Sequence, residues 1–322
     1  MTATHGRRHG QKQRRKFLNS KTIFILALFT ATSFTACGSK NSTSDSAAAV
    51  TDSKPSLPDT SFTDPANPEV KETTPGASAS TTPIPSNPSL PAHSYITDVM
   101  LFNGLGISTS DWQSTENIIK SAKLSYKLVN SRQLDAMTLD EMSNFGVMIF
   151  PGGHGDVITK GVLASTAIRV RHAVRDRGVG FVGMCAGAWI AVGPEANTES
   201  KAAYGFAVAN GKQLSLYYPG GKLPTAAVEN VSFPDGTHRY LIWWGGPSTP
   251  NWTNGVVAKY VTGEPAVSQT WSGKGFVIVT GPHPEAPQGW RYTAGNDPDG
   301  LDYDLFMKIV KAALYQKPMA VF

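Results

Sequence analysis

The chain has 322 residues, of which 40% are hydrophobic and 10% aromatic, enough for one large core or two small ones. Its formal net charge is +5, but residues 1–36 hold seven of the 29 lysines and arginines and no acidic residue. Residues 37–322 therefore keep 22 basic against 24 acidic residues, a net charge of −2. This balance argues against a nucleic-acid partner, because the basic character belongs to the N-terminal segment alone.

Residues 1–36 have the order of an export signal. A basic stretch, MTATHGRRHGQKQRRKFLNSK, precedes the apolar run TIFILALFTATSF and then TAC. The apolar run is shorter than the roughly 20 residues that a spanning helix needs. The arrangement resembles a bacterial lipoprotein signal, in which Cys37 becomes the lipid-bearing first residue of the mature chain. We therefore expect a protein held at a membrane of the cell envelope by a lipid on Cys37.

The basic part of this signal has two interpretations. The run at residues 14–18, RRKFL, also looks like a twin-arginine export motif, a route that carries proteins already folded in the cytoplasm. An ordinary basic region of a signal peptide is the alternative. The sequence does not decide between the two routes.

Two further regions follow the signal. Residues 37–92 are rich in Ser, Thr, Pro, Ala and Asp, with Phe62 as their only aromatic residue. Such a composition cannot bury enough apolar surface to offset its ordering entropy, so this region is predicted to be a disordered tether. Apolar, aromatic and glycine content rises near Tyr95 and stays high to the end. Residues 93–322 are therefore predicted to form one domain of about 230 residues.

The first candidate loops of this domain are rich in glycine. Residues 103–106, NGLG, lack the third glycine of a dinucleotide-binding loop and predict a strand-to-helix turn. Residues 147–150, VMIF, predict a short buried strand, which Pro151, Gly152 and Gly153 end. The N–H groups of Gly152 and Gly153 could donate to an oxyanion, with the N–H of Ala186 as a further donor. A simple strand-ending turn would use Pro-Gly-Gly equally well.

Cys185 lies in the stretch GMCAGAW. Apolar residues at helical spacing over 163–177 predict a helix, GVGFVG predicts a buried strand, and AGAWIAV begins another helix. Glycines on both sides of Cys185 allow the tight turn of a nucleophile elbow, and a following helix N-terminus favours a thiolate. If Cys37 is lipidated, Cys185 has no partner for an intramolecular disulfide. A buried structural cysteine is the alternative interpretation.

A base and a carboxylate follow the next buried strand. FVIVT, residues 276–280, predicts a strand that delivers His283 and Glu285 just past its end. Pro284 keeps His283 extended, so the side chains of His283 and Glu285 are expected to project to the same side. The imidazole could take the proton of a thiol while the carboxylate fixes its tautomer. A further helix is predicted over residues 301–316.

Two other groups of residues could have a functional role. His154 and Asp156 could join His283 and Glu285 in a metal site, but no further ligand spacing accompanies them, and we expect neither a metal nor a cofactor. The other group consists of four aromatic residues, which could line a substrate cleft or pack in the core. We expect at least half of them to pack in the core. Its members are Tyr217, Tyr218, Trp243 and Trp244.

Seven segments, in this order, resemble the N-terminal domain of eukaryotic biotin–protein ligases, a part of the class I glutamine amidotransferase-like superfamily. They are VMLFNGLGIS, VMIFPGGHGDV, GVGFVGMCAGAW, LYYPGG, YLIWWGG, VVAKY and GKGFVIVTGPHPE. GMCAG and GPHPE are the most specific parts, and the resemblance runs from about residue 95 to residue 322. It implies an α/β fold, a three-layer, flavodoxin-like sandwich around a largely parallel sheet, with Cys185, His283 and Glu285 as a triad. No biotin-transferring domain is expected after GPHPE.

These observations leave two classes of function. The first is a cysteine hydrolase that cleaves an amide or peptide bond in a small-molecule or peptide substrate. The second is a non-catalytic binding or regulatory module that keeps the amidotransferase-like fold without turnover. A redox-sensing thiol is a third possibility. No pattern in the sequence indicates an oligomeric state.

Overall fold

The computed structural model describes residues 93–194, 205–221 and 225–322. The predicted signal segment 1–36, the lipidation site Cys37 and the predicted tether to residue 92 lie outside the described residues. The described residues all belong to one compact unit. None of their helices is both long enough and apolar enough to cross a lipid bilayer.

Strands and helices alternate in the first half of the described chain, and strands dominate the second half. The strands are β1 Thr97–Phe102, β2 Tyr126–Val129, β3 Phe145–Phe150, β4 Gly180–Met184, β5 Val192–Gly193, β6 Ala209–Asn210, β7 Ser215–Leu216, β8 Ala227–Ser232, β9 His238–Trp243, β10 Pro247–Ser248, β11 Val256–Tyr260, β12 Pro265–Ser272 and β13 Gly275–Thr280. The helices are α1 Thr109–Ser121, α2 Ser131–Ala136, α3 Leu139–Met142, α4 Gly155–Lys160, α5 Ala164–Arg175, α6 Ala186–Ala191, α7 Arg291–Ala294 and α8 Tyr303–Leu314.

Nine of these strands form a central sheet in the order β2-β1-β3-β4-β13-β12-β11-β8-β9. The first five strands of this order are mutually parallel. From β13 onward each neighbouring pair is antiparallel. The predicted α/β fold around a largely parallel sheet is thus confirmed, with an antiparallel extension on one side. The parallel half carries the candidate site.

The sheet is covered on both faces, which makes three layers. In β1, Val99 and Leu101 face a cluster that includes α1 and α8, while Met100 and Phe102 face a cluster that includes α5 and α6. Successive side chains of a strand point to opposite faces, so a strand between two helical layers must be apolar throughout. All six residues of β3, FGVMIF, are buried for this reason.

The elements predicted around the site match those observed within a few residues. The helix predicted over 163–177 is α5, the strand predicted over 178–183 is β4, and the helix predicted over 301–316 is α8. Helix α5 ends at Arg175, and three residues later Gly178 turns the chain towards β4 with a positive φ of 86°, a conformation that glycine accepts without strain. The predicted turn at residues 103–106 joins β1 to α1.

Helix α6 packs directly on the backbone of the sheet because Gly187 has no side chain. A Cβ atom at Gly187 would lie 1.8 Å from the carbonyl oxygen of Phe150 in β3. A Cβ atom at Gly183 would in turn lie 2.5 Å from the carbonyl oxygen of Gly187. This contact sets the distance between α6 and the sheet, and with it the position of Cys185 at the start of the helix.

Candidate active site

The candidate site lies where neighbouring parallel strands end. Strands β3, β4 and β13 are adjacent and parallel, so the loops at their carboxyl ends meet at the same edge of the sheet. The loop after β3 contains Gly152 and Gly153, the turn after β4 contains Cys185, and the loop after β13 contains His283. The topology thus brings together residues that lie up to 131 positions apart.

Cys185 occupies the sharp turn between β4 and α6. Its backbone has φ 48° and ψ −105°, a conformation that non-glycine residues adopt only under strain. The Cys185 N–H donates to the carbonyl oxygen of Thr280 at 2.9 Å, which ties the turn to the end of β13. The residue is 5% exposed, and its thiol donates to the carbonyl oxygen of Trp244, with 3.6 Å between Sγ and oxygen. The strained turn supplies the geometry of a nucleophile elbow, with the thiol at a cavity wall.

His283 and Glu285 form a buried pair beside this turn. His283 Nδ1 lies 2.7 Å from Glu285 Oε1, and both side chains are almost completely shielded from solvent. The His283 N–H donates to the carbonyl oxygen of Ile242 at 2.7 Å, and Ser114 Oγ donates to the Glu285 carbonyl oxygen at 2.6 Å. The backbone of both residues is therefore held in place. The other ring nitrogen, His283 Nε2, is buried without a hydrogen-bond partner among the described residues.

Charges within the cluster favour a protonated imidazole. Burial lowers the pKa of His283, but the nearby charges of Glu285 and Cys185 and the neighbouring carboxylate of Asp111 raise this pKa well above its usual 6.5. Burial, reinforced by the charge of Asp111, raises the pKa of Glu285 to about 7, although His283 opposes this shift. An imidazolium close to Cys185 is the partner that a thiolate nucleophile requires.

Asp111 is the site residue that sequence reasoning missed. It lies in the first turn of α1, is completely buried, and its Oδ2 is 3.3 Å from His283 Nδ1. A signal for it was present, because the buried face of α1 places Asp111 and Ser114 in line with Ile118 and Ile119. A polar residue at a core position of an amphipathic helix indicates a buried partner elsewhere in the chain.

One of the predicted oxyanion donors is not available. The N–H of Gly152 donates to Asp111 Oδ2 at 2.9 Å, so the prediction that it stays free for a ligand is wrong. The reason is the carboxylate 41 residues earlier, which the local sequence PGG does not reveal. A Cβ atom at Gly152 would lie 2.4 Å from Asp111 Oδ2 and 2.5 Å from His283 Cε1. Gly152 is therefore required for space and as a donor to Asp111, rather than as an oxyanion donor.

The assignment of Gly153 and Ala186 as oxyanion donors stays a prediction. Gly153 has φ 151° and forms an isolated β-bridge with Ile107. The hydrogen bonds of this bridge belong to the residues on either side of Gly153, because the Gly152 carbonyl oxygen accepts from Ser108 and the His154 N–H donates to Gly106. The N–H of Gly153 itself has no partner among the described residues. Ala186 is the first residue of α6, and the first N–H groups of a helix have no partner within it. Both lie beside Cys185, and Gly153 lines the same cavity.

A cavity of about 1060 Å³ opens over the thiol. Its lining consists of Ser108, Ser110, Asp111, Gly153, His154, Gly155, Asp156, Thr159, Lys160, Cys185, Trp189, Gln213, Trp244, Gly245, His283 and Trp290. Trp290 stands edge-on to His283, with 5.0 Å between ring centroids, and its Nε1 donates to Ser110 Oγ at 3.1 Å. Three tryptophans and several hydroxyl and amide groups thus surround the entrance to the thiol.

Of the four aromatic residues considered as a cleft or core group, half pack in the core, as expected. Trp244 lines the cavity, with its ring centroid 5.2 Å from that of Trp290. Tyr217 and Trp243 are completely buried in the core. Tyr218 is half exposed and does not line the cavity.

Three buried groups also have the spacing of metal ligands. Within the described chain, ligand atoms of Asp111, His283 and Glu285 lie within 4.8 Å of one another. A metal ion bound there would have to displace the proton between His283 Nδ1 and Glu285, so we assign none. Of the sequence candidates, His154 lines the cavity, and Asp156 pairs with Lys160 at 3.3 Å. The expected absence of a metal and of a cofactor stays a prediction.

Comparison with known proteins gives likenesses at the level of structure only. No protein-family model matches the chain, and no match was found among curated protein sequences. A glutamine amidotransferase structure is similar at 18% identity over 58% of this chain and 90% of its own, with a TM-score of 0.40. A glutamine amidotransferase from Thermotoga maritima is similar at 11% identity over 69% of this chain and 96% of its own, with a TM-score of 0.42. A cytoplasmic protein from Salmonella typhimurium is similar at 11% identity over 67% of this chain and 98% of its own, with a TM-score of 0.44. Likenesses this low transfer no activity to the chain.

Proposed function

We propose that the chain is a cysteine hydrolase that cleaves an amide or peptide bond, with Cys185 as nucleophile, His283 as base and Glu285 as the group that orients the base. The observation that carries the proposal is the cavity, because it is lined by both the strained Cys185 turn and the imidazole of a buried His-Glu pair. A core cysteine needs neither a left-handed backbone nor a charged neighbour.

The reaction follows from the roles of these groups. His283 Nε2 takes the thiol proton, the sulfur of Cys185 attacks the carbonyl carbon, and the N–H groups of Gly153 and Ala186 stabilise the oxyanion. The C–N bond then breaks as His283 returns the proton to the leaving amine, which leaves a thioester on Cys185. Water, deprotonated by His283, attacks the thioester, releases the carboxylic acid and restores the thiol.

The cavity indicates the kind of substrate. A volume of about 1060 Å³ lies at the upper end of the range found for small-molecule sites. Trp189, Trp244 and Trp290 offer flat apolar walls, while hydroxyl and amide groups can fix a polar backbone. A peptide segment or a small amide with an apolar or flat face fits this combination.

A family assignment belongs to the same proposal. We infer a stand-alone domain of the type found at the N-terminus of biotin–protein ligases, within the class I glutamine amidotransferase-like superfamily. The support is that Cys185, in the GMCAG motif, and His283, in GPHPE, lie after adjacent parallel strands beside one cavity. Glu285 completes GPHPE and lies within hydrogen-bond distance of His283.

One observation favours a non-catalytic binding module as the second candidate. The thiol of Cys185 points to the carbonyl oxygen of Trp244, and His283 Nε2 has no hydrogen-bond partner among the described residues. In this arrangement no hydrogen bond joins the thiol to the imidazole. Many catalytic sites form such a bond only when substrate binds. A protein that binds amides without cleaving them would keep this state.

The experiment is a search for turnover and for the thioester. A panel of peptide and acyl-amino-acid p-nitroanilides is incubated with the protein, and released p-nitroaniline is measured together with the mass of the peptide that contains Cys185. We expect release by the wild type and an acyl adduct on Cys185, with none for Cys185→Ala, because the sulfur carries the acyl group. His154→Ala, which alters the cavity wall, serves as the matched control. Binding of the panel without any difference between wild type and Cys185→Ala would favour the binding module.

We also propose that a lipid on Cys37 anchors the protein in the cell envelope, which rests on the order of basic, apolar and small residues before Cys37. The mutation Cys37→Ser is expected to release the protein from membranes, because the apolar run before it is too short to span stably. Fractionation of producing cells into membrane and soluble parts measures this, with Cys185→Ser as the control thiol. A Cys37→Ser protein that stays with the membrane would contradict the anchor.

A further inference from the structure

Asp111 connects two parts of the candidate site that come from different segments. One oxygen, Oδ2, accepts the N–H of Gly152 at 2.9 Å and also lies 3.3 Å from His283 Nδ1. Gly152 belongs to the turn that carries the oxyanion donor Gly153, and His283 is the base. A single carboxylate therefore touches the oxyanion turn and the imidazole together, and it lines the cavity, whereas Glu285 does not.

Helix α1 holds the base from two positions on one face. Asp111 reaches the imidazole, and Ser114, one turn later, donates to the carbonyl oxygen of Glu285 at 2.6 Å. Residues three apart on a helix lie on the same face, so α1 contacts His283 and Glu285 as a unit. Both residues are buried although they are polar.

Burying a second carboxylate raises the free energy of the folded protein unless its charge stabilises a neighbouring group. Glu285 already lies against the imidazole, and the charge of Asp111 beside it raises the pKa of Glu285. An asparagine at position 111 would accept the N–H of Gly152 equally well without that cost. The second oxygen, Asp111 Oδ1, is buried without a partner among the described residues. These facts point away from a purely structural role.

We propose that Asp111 is a positioning residue for the catalytic base, a second carboxylate that shares His283 with Glu285 and that aligns the imidazole with the oxyanion turn through Gly152. This proposal rests on the proposed function, because it assigns a role within the same hydrolytic site. Both carboxylates approach His283 Nδ1, Glu285 at 2.7 Å and Asp111 at 3.3 Å, and of the two only Asp111 lines the cavity. The two carboxylates together stabilise the imidazolium that accompanies the thiolate.

The groups that face His283 define the expected pH behaviour. They are Glu285 on its own segment, Asp111 from α1, Cys185 from the turn after β4, and the ring of Trp290. The neighbouring carboxylate of Asp111 raises the pKa of His283, and its charge raises the pKa of Glu285. Removal of that charge lowers both values. The pH range in which a thiolate and an imidazolium coexist should then end at a lower pH.

The test is alkylation of Cys185 by iodoacetate between pH 5 and pH 9, followed in the full-length protein by mass spectrometry of the peptide that contains Cys185. The imidazolium attracts this anionic reagent, so the rate falls at the alkaline limit where His283 loses its charge. Asp111→Asn removes the charge and keeps an acceptor for the Gly152 N–H. We expect the rate at pH 7 to fall roughly tenfold, as for the loss of one close opposite charge, and the alkaline limit to move to lower pH. Glu285→Gln should behave similarly, and the double variant should fall to the level of His283→Ala.

Two further variants keep the test decisive. Asp98→Asn, which also replaces a carboxylate that accepts a backbone N–H, at 2.7 Å from Ser125, should leave rate and limit unchanged. Asp111→Glu keeps the charge on a longer stem, and we expect a lower rate with the wild-type alkaline limit. Melting curves for each variant confirm that the fold is retained.

The outcomes separate this proposal from the proposed function. If Asp111→Asn leaves the rate and the pH limit unchanged while His283→Ala slows alkylation, the hydrolase proposal stands and the role of Asp111 is refuted. A shifted limit in Asp111→Glu would overturn it as well. If His283→Ala itself has no effect, the base assigned under the proposed function is wrong.

Discussion

The mutation His283→Ala is expected to slow alkylation of Cys185 at pH 7 by roughly 10- to 30-fold, because an ordinary thiol of pKa about 8.5 is only about 3% thiolate at that pH. In the wild type, the neighbouring Glu285 and Asp111 raise the pKa of His283, which favours a charged imidazole near the sulfur of Cys185. The wild-type protein should therefore react faster than free cysteine under the same conditions. The measurement is the rate of iodoacetamide labelling, read from the peptide that contains Cys185.

The control for this experiment is His154→Ala. His154 lines the same cavity, but no described hydrogen bond joins its side chain to Cys185 or His283. Its removal tests whether any change of the cavity wall alters access of the reagent to the thiol. Equal slowing in both variants would show that reagent access, rather than imidazolium, governs the rate, and the thiol would then be a structural one.

The mutation Gly187→Ala is expected to lower the free energy of unfolding by more than about 3 kcal/mol, at the upper end of the effects of overpacking. The added methyl group would lie 1.8 Å from the carbonyl oxygen of Phe150. That oxygen belongs to β3, which is paired on both sides within the sheet and cannot move aside. Urea denaturation followed by circular dichroism measures the change.

Gly155→Ala is the matched control for this substitution. Gly155 is the first residue of α4, and a Cβ atom there would meet its nearest neighbour, Trp189 Cβ, at an ordinary 3.5 Å. Alanine favours helix more than glycine does, so we expect stability within about 0.5 kcal/mol of the wild type or slightly above it. A similar loss for both variants would show that α6 does not pack on β3 as described.

The parallel half of the fold was predictable because its signals are local. VMIF and FVIVT are uniformly apolar and short, the pattern of strands buried on both faces, and glycines flank Cys185 where the chain turns sharply. The antiparallel extension was not predictable, because no local sequence pattern indicates that β13 pairs with β4 on one side and with β12 on the other. Strand order depends on contacts between distant segments.

The candidate site shows the same division. His283 and Glu285 are two residues apart, so an extended backbone was enough to predict that they act as a pair. Asp111 could not be identified as their neighbour, because a carboxylate in the first turn of a helix is also favoured by the helix dipole alone. The prediction that the Gly152 N–H is free for a ligand was wrong for the same reason, since its acceptor lies 41 residues earlier.

The position of β13 has a consequence for the biosynthesis of the protein. This strand is the last one of the described chain, and it inserts between β4 and β12 in the middle of the sheet. Until it is in place, Cys185 has neither the carbonyl of Thr280 to hold its turn nor the imidazole of His283 beside it. Pairing between segments as distant as β4 and β13 slows folding in general, so Cys185 gains these neighbours only when the sheet is complete. We therefore expect the rate of alkylation of Cys185 during synthesis to change when the sheet is complete, and this change would mark the moment at which the domain becomes native.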